Sequence, residues 1–313
     1  MRIALLFWLQ LVSALSLAAP PRPIQRDPIA AAQVRPIERF AVTGDSGSGA
    51  QVEHDLARQL SRENSRQKLD ALFLLGDNVY EHGEVANFDR AIRYPFRQLI
   101  EHQVPVLGVL GNHDILSDPG FAQLSYLGLD GKRQFRLKLA HDIELFAIDT
   151  TLLMAGQRNY YPHDTKWANA ESAAQLEWLE RSLGESRARM KIVFGHHPLY
   201  SSGEHGQDRD GTIMKEALEP MLVRHGVSAY FAGHDHHYER SEPINGITHI
   251  VTGAGGKTSD RYHRDAPHPR VHIEATNHVL LLDARPEGLG VRAIDRNGKT
   301  LDETTIAAPS MVK

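Results

Sequence analysis

The sequence predicts an α/β fold built on two packed sheets, and three observations lead there. From Ile37 onward, short apolar segments alternate with segments of helical periodicity, the pattern of strands linked through helices. The last part of the chain turns β-rich without intervening helices, which suits two packed sheets better than one parallel sheet. The chain's 313 residues suffice for one large domain with a sizeable core.

The elements follow in order. Residues 39–43 read as a short apolar strand, and residues 51–64 as a helix with Leu56 and Leu60 on one face. Residues 70–75 form a buried strand. Residues 87–103 read as a helix that Pro95 must interrupt or kink, because proline brings no N–H to the ladder. Residues 105–110 are the next strand. Residues 134–139 and 143–148 read as neighbouring strands around a turn at His141-Asp142. A helix follows at 172–183, with Leu176, Leu179 and Leu183 at helical spacing. Then come a strand at 191–194, a helix at 212–225 and a strand at 229–231. The stretches 248–252, 278–283 and 290–295 complete the β-rich run.

Ahead of this domain, residues 1–18 read as a signal peptide. Met1-Arg2 gives a positive start, Ile3 to Val12 an apolar run, and Ser16-Leu17-Ala18 small residues before a cleavage point at Ala19. An uncleaved anchor is the alternative, but the run is shorter than the ~20 residues a spanning helix needs. Residues 19–36, with five prolines at Pro20, Pro21, Pro23, Pro28 and Pro36, read as an extended leader. Ordered structure is expected from near Ile37, with a domain over 37–300 and a tail over 301–313.

Composition narrows the function. A hydrophobic share of 41% and a charged share of 24% fit a soluble globular protein. A net charge of −4 with no long basic run gives no indication of a nucleic-acid partner. With no cysteine, disulfides, zinc–thiolate sites, iron–sulfur clusters and thiol nucleophiles are excluded. The 18 histidines fall in short motifs rather than a tract.

Five motifs sit at predicted strand ends: Gly44-Asp45-Ser46-Gly47, Gly76-Asp77-Asn78-Val79-Tyr80, Gly111-Asn112-His113-Asp114, Gly195-His196-His197-Pro198 and Gly233-His234-Asp235-His236-His237. Each places a polar cluster after a glycine, where α/β sheets bind ligands. Alone, none decides. Asp45 also suits a helix-capping turn, and Asp77-Asn78 an Asx turn. His234 and His236 point the same way on an extended chain. Together the five point to a metal site. Oxygen and nitrogen donors without sulfur suit iron, zinc or manganese. Two such ions about 3.5–4 Å apart can clamp the attacking and leaving oxygens of a phosphoryl displacement.

These motifs resemble those of the calcineurin-like metallophosphoesterases. Gly-Asp-x-x-Tyr, ending at Tyr80, narrows the resemblance to the purple acid phosphatases, and within them to the small, tartrate-resistant mammalian-type branch. It runs from about Ile37 to about Asp295 and takes in Ala147-Ile148-Asp149-Thr150, Gln175-Leu176-Glu177-Trp178-Leu179, Glu204-His205-Gly206 and Gly253-Ala254-Gly255. It implies a four-layer αββα sandwich of two mixed sheets flanked by helices. It assigns Asp45, Asp77, Tyr80 and His236 to Fe(III), and Asp77, Asn112, His196 and His234 to a divalent ion (Fe, Zn or Mn), with Asp77 bridging. A tyrosine–iron charge-transfer band would colour the protein. His113 and His205 match substrate-facing, proton-donating histidines, and Asp114 is expected to orient His113. His197 and His237 are expected to be neighbours or surface residues rather than ligands, and Asp149 to be structural.

The implied activity is an acid phosphatase that hydrolyses phosphomonoesters with a hydroxide generated at the dinuclear centre. A phosphodiesterase or nucleotide-processing hydrolase on the same site is the alternative. A non-catalytic metal- or phosphate-binding protein is the alternative of another class. The expected partners are small phosphorylated substrates. The chain is expected to be exported, periplasmic or secreted, monomeric, and without a stable membrane anchor after cleavage. Loops at Arg158-Asn159-Tyr160-Tyr161, Gln207-Asp208-Arg209-Asp210 and Lys257 to Arg264 are read as solvated rims of the site.

Overall fold

The computed structural model describes residues 21–155, 163–263 and 265–309. The signal-peptide reading and the Arg158–Tyr161 rim lie outside the described residues. In chain order the strands are β1 (Arg39–Thr43), β2 (Ala71–Leu75), β3 (Val106–Val109), β4 (Phe135–Leu139), β5 (Ile143–Ala147), β6 (Met190–Phe194), β7 (Ala229–Ala232), β8 (Tyr238–Ser241), β9 (Thr248–Thr252), β10 (Arg270–Glu274), β11 (His278–Arg285), β12 (Gly288–Asp295) and β13 (Thr300–Ala307). The helices are α1 (Pro28–Ala32), α2 (Gln51–Arg66), α3 (Arg97–Glu101), α4 (Phe121–Tyr126), α5 (Thr165–Glu185) and α6 (Arg209–Arg224), with short 3₁₀ and π turns between.

Two mixed sheets pack face to face. One has the order β13-β12-β11-β1-β2-β3, the other β10-β8-β9-β7-β6-β5-β4. Strands β1, β2 and β3 run parallel, as do β5, β6, β7 and β9. The alternation of side chains along a strand sorts the core. In β2, Phe73 and Leu75 face the second sheet, while Leu72 and Leu74 join the layer that holds Leu56 and Leu60 of α2. Phe194 meets both Phe73 and Phe231 between the sheets. Behind the second sheet, Leu179 and Leu183 of α5 and Leu218 and Leu222 of α6 cover Phe146 and Val193. The result is the expected α/β sandwich of four layers.

The chain departs from the sequence reading in four places. Ordered structure begins before Ile37. Asp27 caps α1 by accepting from the Ala30 amide, Pro28 occupies the first turn, and Ile24 is buried. Gln25 ties this segment to the sheet by accepting from Val106 N at 3.0 Å. The expected tail at 301–313 contains β13, an edge strand whose polar sequence hid it. Tyr238–Ser241 and Arg270–Glu274 were missed for the same reason, their charged residues masking the apolar run. The expected helix at 87–103 is broken around Pro95 into a π turn, Asp89–Arg93, and α3.

Candidate metal centre

The carboxyl ends of β1, β2, β3, β6 and β7 open toward one another where the sheets meet. Hydrogen bonds between the loops hold that junction: Gly44 N to Thr252 O at 2.9 Å, Asp45 N to Gly76 O at 3.0 Å, and Gly233 N to His196 O at 2.9 Å. Asp45, Asp77 and His234 adopt left-handed backbone conformations, with φ of 55°, 50° and 71°. Such strain at non-glycine residues is tolerated where the surroundings enforce it and gathers at functional sites. Gly76 has φ of 87°, and a Cβ there would collide with the His196 ring.

All seven residues read as ligands converge, in two sets. In the first, Tyr80 Oη lies 3.3 Å from Asp45 Oδ1 and 3.1 Å from His236 Nε2, and His236 Nε2 lies 3.6 Å from Asp45 Oδ1. In the second, Asn112 Oδ1 lies 3.1 Å from both His196 Nε2 and His234 Nδ1. Asp77 reaches the second set through Oδ1, 3.5 Å from His196 Nε2. Asp45, Asp77 and His196 bring their ligand atoms within 4.8 Å of one another, as do His196, His197 and His234.

These residues fit metal ions. His196 Nδ1 lies 2.8 Å from the Leu75 carbonyl, which can only accept, so Nδ1 carries the proton and Nε2 presents a lone pair. That lone pair faces the oxygens of Asn112 and Asp77. Acceptors crowded together in a buried space need a cation between them. The electrostatics of the buried groups agree. Burial and the nearby Asp77 push Asp45 well up, and burial with both aspartates pushes Tyr80 well up. Burial drives His196 and His234 down, and takes His236 to about 4 against the pull of Asp77 and with help from Lys257. Neutral imidazoles are the form that ligates.

His113 and His205 flank the donor sets. His113 N donates to Asp77 Oδ1 at 3.0 Å, and its ring Nδ1 donates to the Glu81 carbonyl at 2.6 Å. His205 stacks on His234 with ring centroids 4.4 Å apart, in a cleft of ≈ 110 Å³ that Glu204, Arg261 and Ser259 also line. Burial alone would lower the His205 pKa, but the hydrogen bond from Nδ1 to Asp208 at 2.9 Å and the charges of Asp235, Asp208 and Glu204 raise it.

The expected role of Asp114 is corrected. Its carboxylate does not touch His113. It accepts from the amides of Asn78, Val79 and Gly111 at 2.8–3.1 Å, and so fixes the turn that follows Asp77. Burial and Asp77 push it up to about 8, against those three amides. The Glu81 carbonyl orients His113 instead. His197 and His237 are buried, not surface residues. His197 Nδ1 meets Thr150 Oγ1 at 2.8 Å, and His237 Nε2 donates to Glu239 at 2.9 Å. Asp149 pairs with buried Arg133 and holds Thr151, a structural task.

The sequence reading passed over several contributors. Asp235 accepts from His205 N at 3.0 Å and from Ser201 Oγ, tying the His205 loop to the His234–His236 turn. Asp210 opens α6 buried, 3.8 Å from His234 Nε2, where a solvated charge was expected. Its spacing from the motifs carried no signal. Asp235, inside a motif, could have been found.

Comparison with known proteins agrees with this geometry. Residues 38–238 match the calcineurin-like phosphoesterase family. The chain is 27% identical over 300 residues to the tartrate-resistant acid phosphatase type 5 of Oryctolagus cuniculus, covering 87% of this chain and 91% of that one. It is 33% identical over 240 residues to purple acid phosphatase 17 of Arabidopsis thaliana, covering 70% of this chain and 68% of that one. Among solved structures, GAP50, described as the anchor in the inner membrane complex of Plasmodium, superposes with a TM-score of 0.73 at 17% identity, over 88% of this chain and 90% of that one. That last likeness speaks for the fold alone. Fold, converging donors and sequence similarity together place the chain in the calcineurin-like metallophosphoesterases, metal-dependent phosphoester hydrolases, and within them in the purple acid phosphatases.

Proposed function

We propose that the protein is an acid phosphatase that hydrolyses small phosphomonoesters at a centre of Fe(III) and a divalent ion, iron, zinc or manganese. The observation that carries this is the division of the donors into a phenol-containing set, Asp45, Tyr80 and His236, and an amide–imidazole set, Asn112, His196 and His234, with Asp77 beside the second. A tyrosine oxygen favours the harder, more highly charged ion, and imidazoles suit a divalent one. When bound, the ions supply a strongly acidified water and positive charge against the phosphoryl oxygens.

The chain's own residues do the rest. Asp77, with one oxygen in the second set and its backbone at the Tyr80 turn, is suited to be shared. The Glu81 carbonyl orients His113, leaving its Nε2 3.9 Å from Asp77 Oδ2 at the mouth of the site. Asp208 holds His205 through Nδ1, so that Nε2 carries the titrating proton and can hand it to a departing alkoxide. Against the lowering effect of burial, the carboxylates of Asp208, Asp235 and Glu204 raise the His205 pKa, which favours the protonated ring in acid, as an acid phosphatase requires.

An exported, monomeric enzyme is part of this reading. Among the described residues no helix is long and apolar enough to cross a membrane. The test is to compare hydrolysis of 4-nitrophenyl phosphate and bis(4-nitrophenyl) phosphate across acidic pH. The reading predicts faster turnover of the monoester. A diester rate far above the monoester rate would replace it with a phosphodiesterase.

A further inference from the structure

The turn after β9 is Gly253-Ala254-Gly255-Gly256, and its three glycines lie against the Asp45 and Asp235 loops with no room for a Cβ. Gly255 N donates to Gly44 O at 3.1 Å, and a Cβ on Gly256 would press on the Ser46 and Asp45 carbonyls at 2.6 and 2.9 Å. Asn277 Nδ2 pins the same turn through the Ala254 carbonyl at 2.9 Å. A backbone fixed in this way delivers the next residue, Lys257, over Tyr80. Its Nζ stands 3.6 Å from the centroid of the Tyr80 ring and donates to Glu81 Oε1 at 3.0 Å. The lysine side chain is 32% exposed while Tyr80 is only 2% exposed, so the ring meets this cation with little intervening water.

We propose that Lys257 tunes Tyr80 as a metal ligand. The proposal rests on Tyr80 binding Fe(III), as proposed above. An ammonium over an aromatic face is attracted by the ring's electrons, and more strongly when the ring carries a phenolate's charge. The visible transition of an iron phenolate moves an electron from the ring to the ion. A cation beside the ring holds that electron back and raises the transition energy. Groups that touch a ligand rather than the metal commonly adjust a site in this way. Lys257 therefore acts through Tyr80, and Glu81 is its anchor.

The test is the visible spectrum of the iron-loaded full-length protein, with melting temperature measured in parallel. Lys257→Met and Lys257→Gln remove the charge at a partly exposed position, and both move the band to longer wavelength. Lys257→Arg keeps a cation over the ring and restores the wild-type position or close to it. The two neutral variants guard against one of them failing to fold. A band unmoved in folded neutral variants overturns the proposal and leaves the iron reading intact. A wild type that carries iron but has no visible band overturns the tyrosine–iron reading, and this proposal with it.

Discussion

Two acceptors face each other across 3.5 Å in the buried centre of the molecule: Nε2 of His196 and Oδ1 of Asp77. The Leu75 carbonyl fixes this arrangement by taking the only proton a neutral His196 has. The protein is thus built around a point that favours positive charge.

Metal removal follows directly. Exhaustive chelation leaves Asp45 and the imidazoles buried against one another, so the stripped protein melts lower. An ion present at a thousandfold its dissociation constant contributes about 4 kcal/mol. Calorimetry before and after chelation, and after adding metal back, measures the difference. An unchanged melting temperature would mean that the buried acceptors do not depend on ions.

If His205 donates the proton as proposed, Asp208 is expected to set the alkaline limit of activity. Burial lowers the His205 pKa, but the hydrogen bond to Asp208 together with the charges of Asp235, Asp208 and Glu204 raises it on balance. Asp208→Asn removes one source of that rise, so His205 loses its proton at lower pH and the alkaline limb of kcat shifts to lower pH. The same sign applies to stability. A raised folded pKa stabilises below the unfolded value, and the stabilisation is lost as pH rises through the folded value. A pH–rate profile checks the shift, and an alkaline limb that stays in place would remove His205 from the role of proton donor.

Much of this was legible in the sequence, and the reasons can be named. Parallel strands buried on both faces read as apolar runs, unbroken in β2 and interrupted only by Lys191 in β6, so both were found within one residue. Glycine turns after those runs marked Asp77 and His196, because close approach leaves no room for a Cβ. Edge strands such as β13 and β10 carry polar residues and gave no such signal. Contacts that join distant segments, such as Lys257 over Tyr80 or Asp210 near His234, depend on the packing of loops and leave no local pattern. The assignment of Asp114 to His113 failed because adjacency in sequence was read as contact, whereas the carboxylate turns back to three amides.

A run of edge-to-face rings crosses the packing between the sheets. Phe194 lies 5.4 Å from Phe73 of the opposite sheet and 5.2 Å from Phe231. Phe194→Ala opens a cavity there and costs about 3–5 kcal/mol. Urea denaturation measures it. A loss under ~1 kcal/mol would mean that the site collapses around the smaller residue.

Acid stability turns in part on His278. It is fully buried and satisfied as a neutral ring, donating to the Thr276 carbonyl and meeting the Thr252 hydroxyl, each at 2.9 Å. Burial holds its pKa at about 4 in the folded protein, against the raising effect of its bond to Thr276. The unfolded chain binds that proton near pH 6.5. The unfolded state therefore holds more protons between these values, and stability falls as pH drops through that window, by roughly 3 kcal/mol for this residue. His278→Gln makes the fall shallower. Denaturation at pH 7 and pH 4.5 for both proteins checks it, and equal slopes would exclude the histidine as a cause.

The central claim is that one carboxylate, Asp77, serves two ions at the junction of the sheets. The most direct measurement is elemental analysis of the purified chain by plasma mass spectrometry, for wild type and Asp77→Ala. The account predicts two ions per wild-type chain, at least one of them iron, with both lost or greatly depleted in Asp77→Ala. A wild type that holds a single ion, or an Asp77→Ala protein that retains both, would contradict it.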